Sequence, residues 1–484
     1  MAADRRVAAG AAALALLATG PFGAQEPGTP ASVDVERVRG LVLGRVSPWI
    51  KDARDRLREE VDDPRGVDRV LEELREEIWA IVREEVRGAR IPAVLRPASD
   101  REKGKPPETS PAPTRQEGLA GRFDDKARLR SVHGGSGTEP ALGKALEWLA
   151  AHQDPDGRWD CDGFSKNCAK DRCGGPGEPL HDVGVTGLAL LAFLGDGNLP
   201  DGGPHWRAVA RGVKWILSQQ NPETGLLGGP AGNSFLYGHA IATTALAEAY
   251  ALGGSGDLRG PLERAVALAA KACNPDRVWR YQCPPNGDND TSVTSWMASA
   301  LKAAADAGVA VDPTLFDRTL AWLEDMTEPA TGRCGYMQRG EGSARRSGRE
   351  QRFPAHKTEA LTAAALFCRI RLGQTPEKHP VLRLHAGRLR KAPPVWEVGD
   401  ELSLVDEYYW YYGTFAMFQM GGEDWKVWNA ALKKALLEHQ RKDGDAAGSW
   451  DPVGAWGEEG GRVYMTALGA LCLESYYRYP RRAD

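Results

Sequence analysis

Beyond its opening stretch, this 484-residue chain has no apolar run near the ~20 residues that a membrane-crossing helix needs. Charge of one sign is also missing. The 62 Lys and Arg stand against 66 Asp and Glu, a net of −4, which argues against nucleic acid as a partner. Cysteine is sparse, with eight in the chain. Cys368 and Cys472 fall inside apolar helical segments, whereas Cys161, Cys168, Cys173, Cys273, Cys283 and Cys334 fall in loops.

The opening stretch sets the expected compartment. MAADRRVAAGAAALALLATGPFGA carries Arg5 and Arg6, then an apolar core, then small residues up to Ala24. That order predicts an export signal over residues 1–24 and a periplasmic or extracellular protein. In an oxidising setting an even number of loop cysteines predicts disulfides. Cys273–Cys283 is one expected pair, with two more among Cys161, Cys168, Cys173 and Cys334. A zinc site within CDGFSKNCAKDRC is the rival reading, but the gaps between its cysteines do not match common zinc spacings.

What the chain does contain is a repeat. A threonine recurs inside a small-residue apolar helix at Thr186, Thr243, Thr294, Thr362, Thr414 and Thr466, at steps of 57, 51, 68, 52 and 52 residues. That period is one helical hairpin, which cannot bury its apolar face alone. Each repeat opens with a more amphipathic helix, as in Leu142, Ala145, Leu146 and Leu149 of the first. The threonine helices have few charges and belong inside, with the amphipathic ones outside. The expected fold is all-α: an (α/α)6 toroid over residues 136–484 around a central cavity. Ahead of it come a charged amphipathic helical segment at 25–95 and a linker at 96–135. Within the helical segment, Val67, Leu71, Leu74, Ile78 and Ile81 form a short heptad seam. The linker is rich in Pro, Gly and charge, which predicts a flexible tether.

The run Gln153–Trp159, QDPDGRW, resembles the QW motif of squalene–hopene cyclases and related terpenoid cyclases. Looser forms at Gln220 and at Gln440–Trp450 are similar. The same toroid occurs in protein prenyltransferase β subunits, and the resemblance covers roughly residues 138–477. The plain physical reading is that Gln and Trp staple the end of an outer helix to its neighbour.

Candidate site residues sit at the starts of the threonine helices. Four residues before the marker stand Asp182, His239, Asp290, Thr358, Trp410 and Arg462, with His181 and His356 close by. If the repeats are equivalent, these converge on one mouth where helix N-termini favour an anion. Asp182, Asp290 and Thr358 are also ordinary N-cap residues. The segment EYYWYYGTFAMFQ, with Trp410 and Tyr411, offers aromatic faces for the cavity, together with Trp296, Phe193 and Phe367. Such faces suit an apolar ligand, a carbocation or a sugar.

The resemblance implies two chemistries, and the residues depart from both. Terpenoid cyclases of the protonating class carry Asp-x-Asp-Asp-Thr, and here the stretch is Gly287-Asp288-Asn289-Asp290-Thr291. Asn289 stands where the proton donor belongs, so Asp288 or Asp290 would have to substitute. Prenyltransferases bind zinc through Asp-x-Cys and a His. This chain offers Asp290-x-Ser292 and His356, and a neutral hydroxyl is a poor zinc ligand. No cofactor is expected, with zinc at Asp290, His356 and His239 as the weaker alternative.

The leading expectation is therefore a toroid that binds an apolar or mixed ligand, or a protein partner, without the usual cyclase activity. The alternative is a divergent exported enzyme acting on an isoprenoid or glycan through Asp290 and rim histidines.

Overall fold

Apolar residues without a polar face dictate the inner layer. In Asp182–Gly195 every residue from Gly184 onward is buried, so this helix must be surrounded. In Trp206–Ser218, by contrast, Val209, Val213 and Ile216 are buried while Arg207, Arg211 and Lys214 stay exposed. That is the pattern of a surface helix. The computed structural model describes residues 117–481 except 254 and 255, all within one compact unit, Thr109–Asp484. The export signal, the segment at 25–95 and the linker up to residue 116 lie outside the described residues.

The first described helix is α1 (Lys126–Val132). Six outer helices follow in alternation with six inner ones. The outer set is α2 (Glu139–Ala151), α4 (Trp206–Ser218), α6 (Arg259–Lys271), α8 (Thr314–Met326), α10 (Val381–Lys391) and α12 (Gly422–His439). The inner set is α3 (Asp182–Gly195), α5 (Phe235–Ala251), α7 (Thr291–Asp306), α9 (Ala360–Arg371), α11 (Glu407–Met420) and α13 (Gly457–Leu473). A short α14 (Ser475–Arg478) ends the described chain. Each inner helix packs on the next, and α13 packs on α3. The inner six thus form a closed ring, an (α/α)6 toroid.

In four of the six repeats the marker threonine has the same task. Its hydroxyl accepts a hydrogen bond from the backbone N–H that ends the preceding outer-helix turn. Trp159 N meets Thr186 at 2.9 Å, Cys334 N meets Thr362 at 3.2 Å, and Trp279 N and Trp450 N meet Thr294 and Thr466 at 3.4 Å. The indoles of Trp159, Trp279 and Trp450 donate back to Leu149, Ala269 and Leu436 on their own outer helices. Gln153, Gln220 and Gln440 donate to the carbonyls of Ala208, Pro261 and Ala141 on the next outer helix, at 2.7–2.9 Å. The last of these joins repeat six to repeat one. Each such bond is worth about 1 kcal/mol net. Gly157, Gly225 and Gly448 all have positive φ, and a Cβ at each would stand 2.3 Å from a carbonyl of the next outer helix.

Two sequence expectations need correction. The tail of the supposed tether, residues 117–135, is folded on the ring: a 3-10 turn at Glu117–Arg122 and α1 both pack on α14. Arg122 is fully buried and paired with Glu248 at 2.8 Å. The second correction concerns disulfides. Cys161, Cys168, Cys173, Cys273, Cys283 and Cys334 are all free. Cys273 Sγ instead donates to Arg277 O at 3.4 Å, and Cys161 Sγ to the carbonyls of Glu459 and Gly460 at 3.4 Å.

Candidate functional site

The ring is not hollow from end to end. Trp296 of α7 stacks on Tyr411 of α11 at 5.3 Å and meets Tyr412 edge-on at 5.3 Å. Phe367 of α9 touches Tyr412 and Phe415. These rings fill the middle and divide it. Toward the C-terminal ends of the inner helices lies a cavity of about 280 Å3, lined among others by Ala247, Lys302, Phe367, Arg371, Phe415 and Tyr479. Toward the N-terminal ends the phenols Tyr237, Tyr408 and Tyr464 remain partly accessible and border a recess.

Asp290 lies beneath that recess, itself inaccessible. It N-caps α7, its Oδ1 accepting from Val293 N at 2.8 Å and from Ser292 Oγ at 3.1 Å. Its Oδ2 accepts from Tyr336 Oη at 3.4 Å and stands 3.6 Å from Arg280 Nε. Tyr336 is hydrogen-bonded to Tyr281, and Tyr237 to Ser292. Two carboxylate oxygens are thereby wired to three tyrosines drawn from repeats two, three and four. The Tyr336 loop is pinned in place by Thr291, whose N–H donates to Tyr336 O at 3.0 Å and whose hydroxyl donates to Gly335 O at 2.7 Å.

The electrostatics of the recess are set by burial. Asp290 is inaccessible, and burial raises its carboxyl to about 6 despite the backbone, Ser292 and Arg280 contacts that pull the other way. Glu407, the first residue of α11, is buried with no hydrogen-bond partner on either carboxylate oxygen. Burial raises it to about 8, so it is neutral at pH 7. Its neighbour Asp406 is paired with Arg345 at 2.7 Å and caps α11 through Tyr409 N at 3.0 Å. Tyr237, Tyr408 and Tyr464 remain partly accessible although burial pushes their hydroxyls well above the usual range. Rings deep among protein atoms yet reached by solvent line a recess. The hydroxyls of Tyr408 and Tyr412 have no partner.

The residues singled out from sequence distribute unevenly. Asp290 lies beneath the recess and Tyr411 stacks on Trp296, as described. Asp182 holds its own repeat together, accepting from Cys161 N at 2.8 Å and Arg158 at 2.9 Å. His181 occupies the N-cap position of α3 without a side-chain capping bond, half-buried, and burial lowers its pKa. His239 is fully buried between α5 and α6, its ring nitrogens 3.1 Å from Leu227 N and Ala265 O, with its pKa lowered to about 4 by burial. Asp288 is exposed beside Arg280 at 3.4 Å. Asn289 closes its own loop, accepting from Val278 N at 3.0 Å. His356 is exposed on a 3-10 turn, and Thr358 is buried. Trp410 packs outward on Trp396 at 5.9 Å, and Phe193 packs outward on Trp159 at 5.7 Å. Arg462 clamps Gly174 O, Ser449 and Asp451 at 2.6–2.9 Å.

Asp290, His239 and His356 form no metal-binding group. Among the described residues, the clusters with metal-ligand spacing are His152, Cys168 and Cys173, and Asp160, Asp162 and Asp182. The segment EYYWYYGTFAMFQ pointed to Tyr408, whereas sequence reasoning missed Tyr237, Tyr281, Tyr336, Tyr464, Arg280 and Glu407. A usable signal existed for two of them: Tyr464 stands two residues before a marker threonine, like Ser292 and Tyr412, and Tyr237 stands six before, like Tyr408. Those positions share the face opposite the threonine.

No family model and no curated protein matches the chain. Solved structures with a similar course include an α-amylase from Clostridium perfringens, at 10% identity and TM-score 0.47, covering 70% of this chain and 97% of that one. A type II terpene cyclase from Scytonema is 16% identical with TM-score 0.45, over 69% and 97%. An inactive variant of an α-1,6-mannanase from Salegentibacter sp., in complex with α-1,6-mannotriose, is 10% identical with TM-score 0.47, over 70% and 98%. At such low values no activity carries across, and the fold rests on the helix packing itself.

Proposed function

We propose that the toroid binds a neutral small molecule of mixed polar and apolar character in the recess at the N-terminal ends of its inner helices. The supporting observation is the Asp290–Ser292–Tyr237 and Asp290–Tyr336–Tyr281 hydrogen-bond chains, with the unpartnered Tyr408 and Tyr412 hydroxyls close to Trp296. Phenols held by Asp290 give donors and acceptors to ligand hydroxyls, and Trp296, Tyr408 and Tyr411 give flat apolar faces. A charged ligand would have to be desolvated without a full counter-charge, which the recess does not offer. Protonation of an alkene by Asn289 has no place here, because its amide is spent within its own loop. Action outside the cytoplasm, expected from residues 1–24, belongs to this proposal and is checked by cell fractionation.

The test is titration of Trp fluorescence with two probe sets, neutral oligosaccharides and isoprenoid alcohols, alongside mass spectrometry of what co-purifies. One set should bind, and Asp290→Asn and Tyr237→Phe should each weaken it tenfold or more. Unchanged binding in both variants would remove the recess as the site.

A second reading, acid–base turnover, is favoured by two carboxyls poised at about 6 and about 8. Groups near neutrality exchange protons with substrate most readily. Under this reading, turnover of the bound probe class should disappear in Asp290→Asn while binding survives.

A further inference from the structure

We propose that His152, Cys168 and Cys173 form a zinc site that locks the seam where the first and last repeats meet. His152 follows α2 as its C-cap residue, and the two cysteines come from the long loop leading to α3. Both Sγ atoms stand 3.5 Å from His152 Nε2. The group is compact, its ligand atoms all lying within 4.8 Å of one another. Tetrahedral zinc with Zn–S near 2.3 Å and Zn–N near 2.0–2.1 Å requires a sulfur-to-nitrogen separation of about 3.6 Å. The observed spacing is that of a preformed set of three ligands.

The surroundings orient these ligands as outer groups do in metal sites. His152 Nδ1 lies 2.8 Å from Trp148 O. A carbonyl accepts, so Nδ1 carries the proton and the Nε2 lone pair faces the two sulfurs. Trp148 stacks on the imidazole at 4.2 Å, and Phe164 meets it edge-on at 6.0 Å. Asn167 Nδ2 donates to His152 O at 3.3 Å, tying the loop to the helix end.

Two thiolates and a neutral imidazole offset the 2+ charge, each thiol releasing its proton to solvent on binding. Among the described residues the group holds no fourth His, Cys, Asp or Glu. Cys168 is partly exposed, so water completes the tetrahedron. The consequence for the ring follows from what the loop touches. Lys170 N and Asp171 N donate to Asp445 of repeat six at 2.5 and 2.7 Å, and Gly177 and Cys161 lie against Glu459 and Gly460 of α13. A metal fixing Cys168 and Cys173 to α2 fixes that whole contact.

The experiment uses the full chain, purified under reducing conditions. Elemental analysis should find one zinc per chain. Chelation should lower the thermal midpoint, and added Zn2+ should restore it. Cobalt in place of zinc should give a thiolate-to-metal charge-transfer absorption that Cys168→Ser and Cys173→Ser lose and Cys283→Ser retains. Because a serine substitution can itself disturb folding, the cobalt spectrum of the unmutated chain decides independently. A fully reduced chain that takes up neither zinc nor cobalt overturns the proposal. So does a Cys168–Cys173 disulfide whose reduced form binds no metal.

Discussion

A carboxylate that only caps a helix should be ionised, because the amides it accepts from favour the charged form. Asp290 has those amides and is still raised from 3.8 to about 6. The difference of about 2 units at 1.36 kcal/mol each amounts to about 3 kcal/mol that the folded state forfeits when Asp290 ionises. The sign is fixed by linkage. Below about pH 4 the residue is protonated in folded and unfolded chains alike, and nothing is lost. Between about 4 and 6 the unfolded chain ionises while the folded one keeps its proton, so stability declines. Above 6 the full cost applies. Asparagine caps a helix as well as aspartate does and does not titrate. Asp290→Asn should therefore match the parent at pH 4 and exceed it by up to about 3 kcal/mol at pH 8, a rise in thermal midpoint of about 4 °C for a ring of this size. Urea and thermal unfolding at the two pH values measure it. A variant less stable than the parent at pH 8, or a difference independent of pH, would show an ordinary ionised cap and refute the reasoning.

Three further outcomes follow from the packing. Gly157→Ala places a Cβ 2.3 Å from Arg211 O at a φ of +104° and should cost 2 kcal/mol or more by urea unfolding, on the order of other strained backbone positions. Glu248→Ala leaves Arg122 and Arg478 buried without their shared partner and should destabilise by about 3–5 kcal/mol. In the parent, the two guanidiniums hold the Glu248 carboxyl down near 2 against its burial, so its contribution is intact above about pH 4.5 and is lost as pH falls toward 2, which an acid titration followed by circular dichroism will show. Trp159→Phe removes the indole donor to Leu149 O and should cost about 1–3 kcal/mol by the same measurement.

The fold was legible because its repeat is a hydrogen-bond rule. Thr186, Thr294, Thr362 and Thr466 must each meet one backbone N–H, and so they recur at nearly fixed steps. The site was less legible for a related reason. On a helix, the residue four before the marker shares the marker's face, and that face turns to the outer layer. His239, Trp410 and Arg462 therefore follow their threonines outward, to Ala265, Trp396 and Ser449. Asp290 escapes because it precedes the first helical residue of α7 and caps it. The inward face begins two residues before the marker, with Ser292, Tyr412 and Tyr464. Tyr281 and Tyr336 are loop residues, and no periodicity constrains them. His152 meets Cys168 and Cys173 through a loop closure that cysteine spacing alone does not reveal.

Two buried acids, Glu248 and Asp290, meet the same desolvation with opposite outcomes. At the C-terminal end, Glu248 accepts from Arg122, Arg478 and Tyr479 at 2.7–2.9 Å, joining the segment before α1 to the segment after α14. Arg122, Arg371 and Arg478 also surround the Tyr479 ring. Two guanidiniums outweigh desolvation, the carboxylate stays charged, and that end is riveted by the two flanking segments. At the N-terminal end Asp290 and Glu407 suffer the same desolvation. Asp290 has hydroxyls and one guanidinium that makes no hydrogen bond to it, while Glu407 accepts no hydrogen bond on either oxygen and feels only the weaker pull of Arg345 and the Gly454 backbone. Their protons stay on until near neutral pH. Glu474, at the C-terminal end, is also raised by burial to about 8 although Arg478 pairs with it at 2.6 Å, so a raised carboxyl alone does not mark a site; what sets Asp290 and Glu407 apart is the set of partly accessible phenols, Tyr237, Tyr408 and Tyr464, around them.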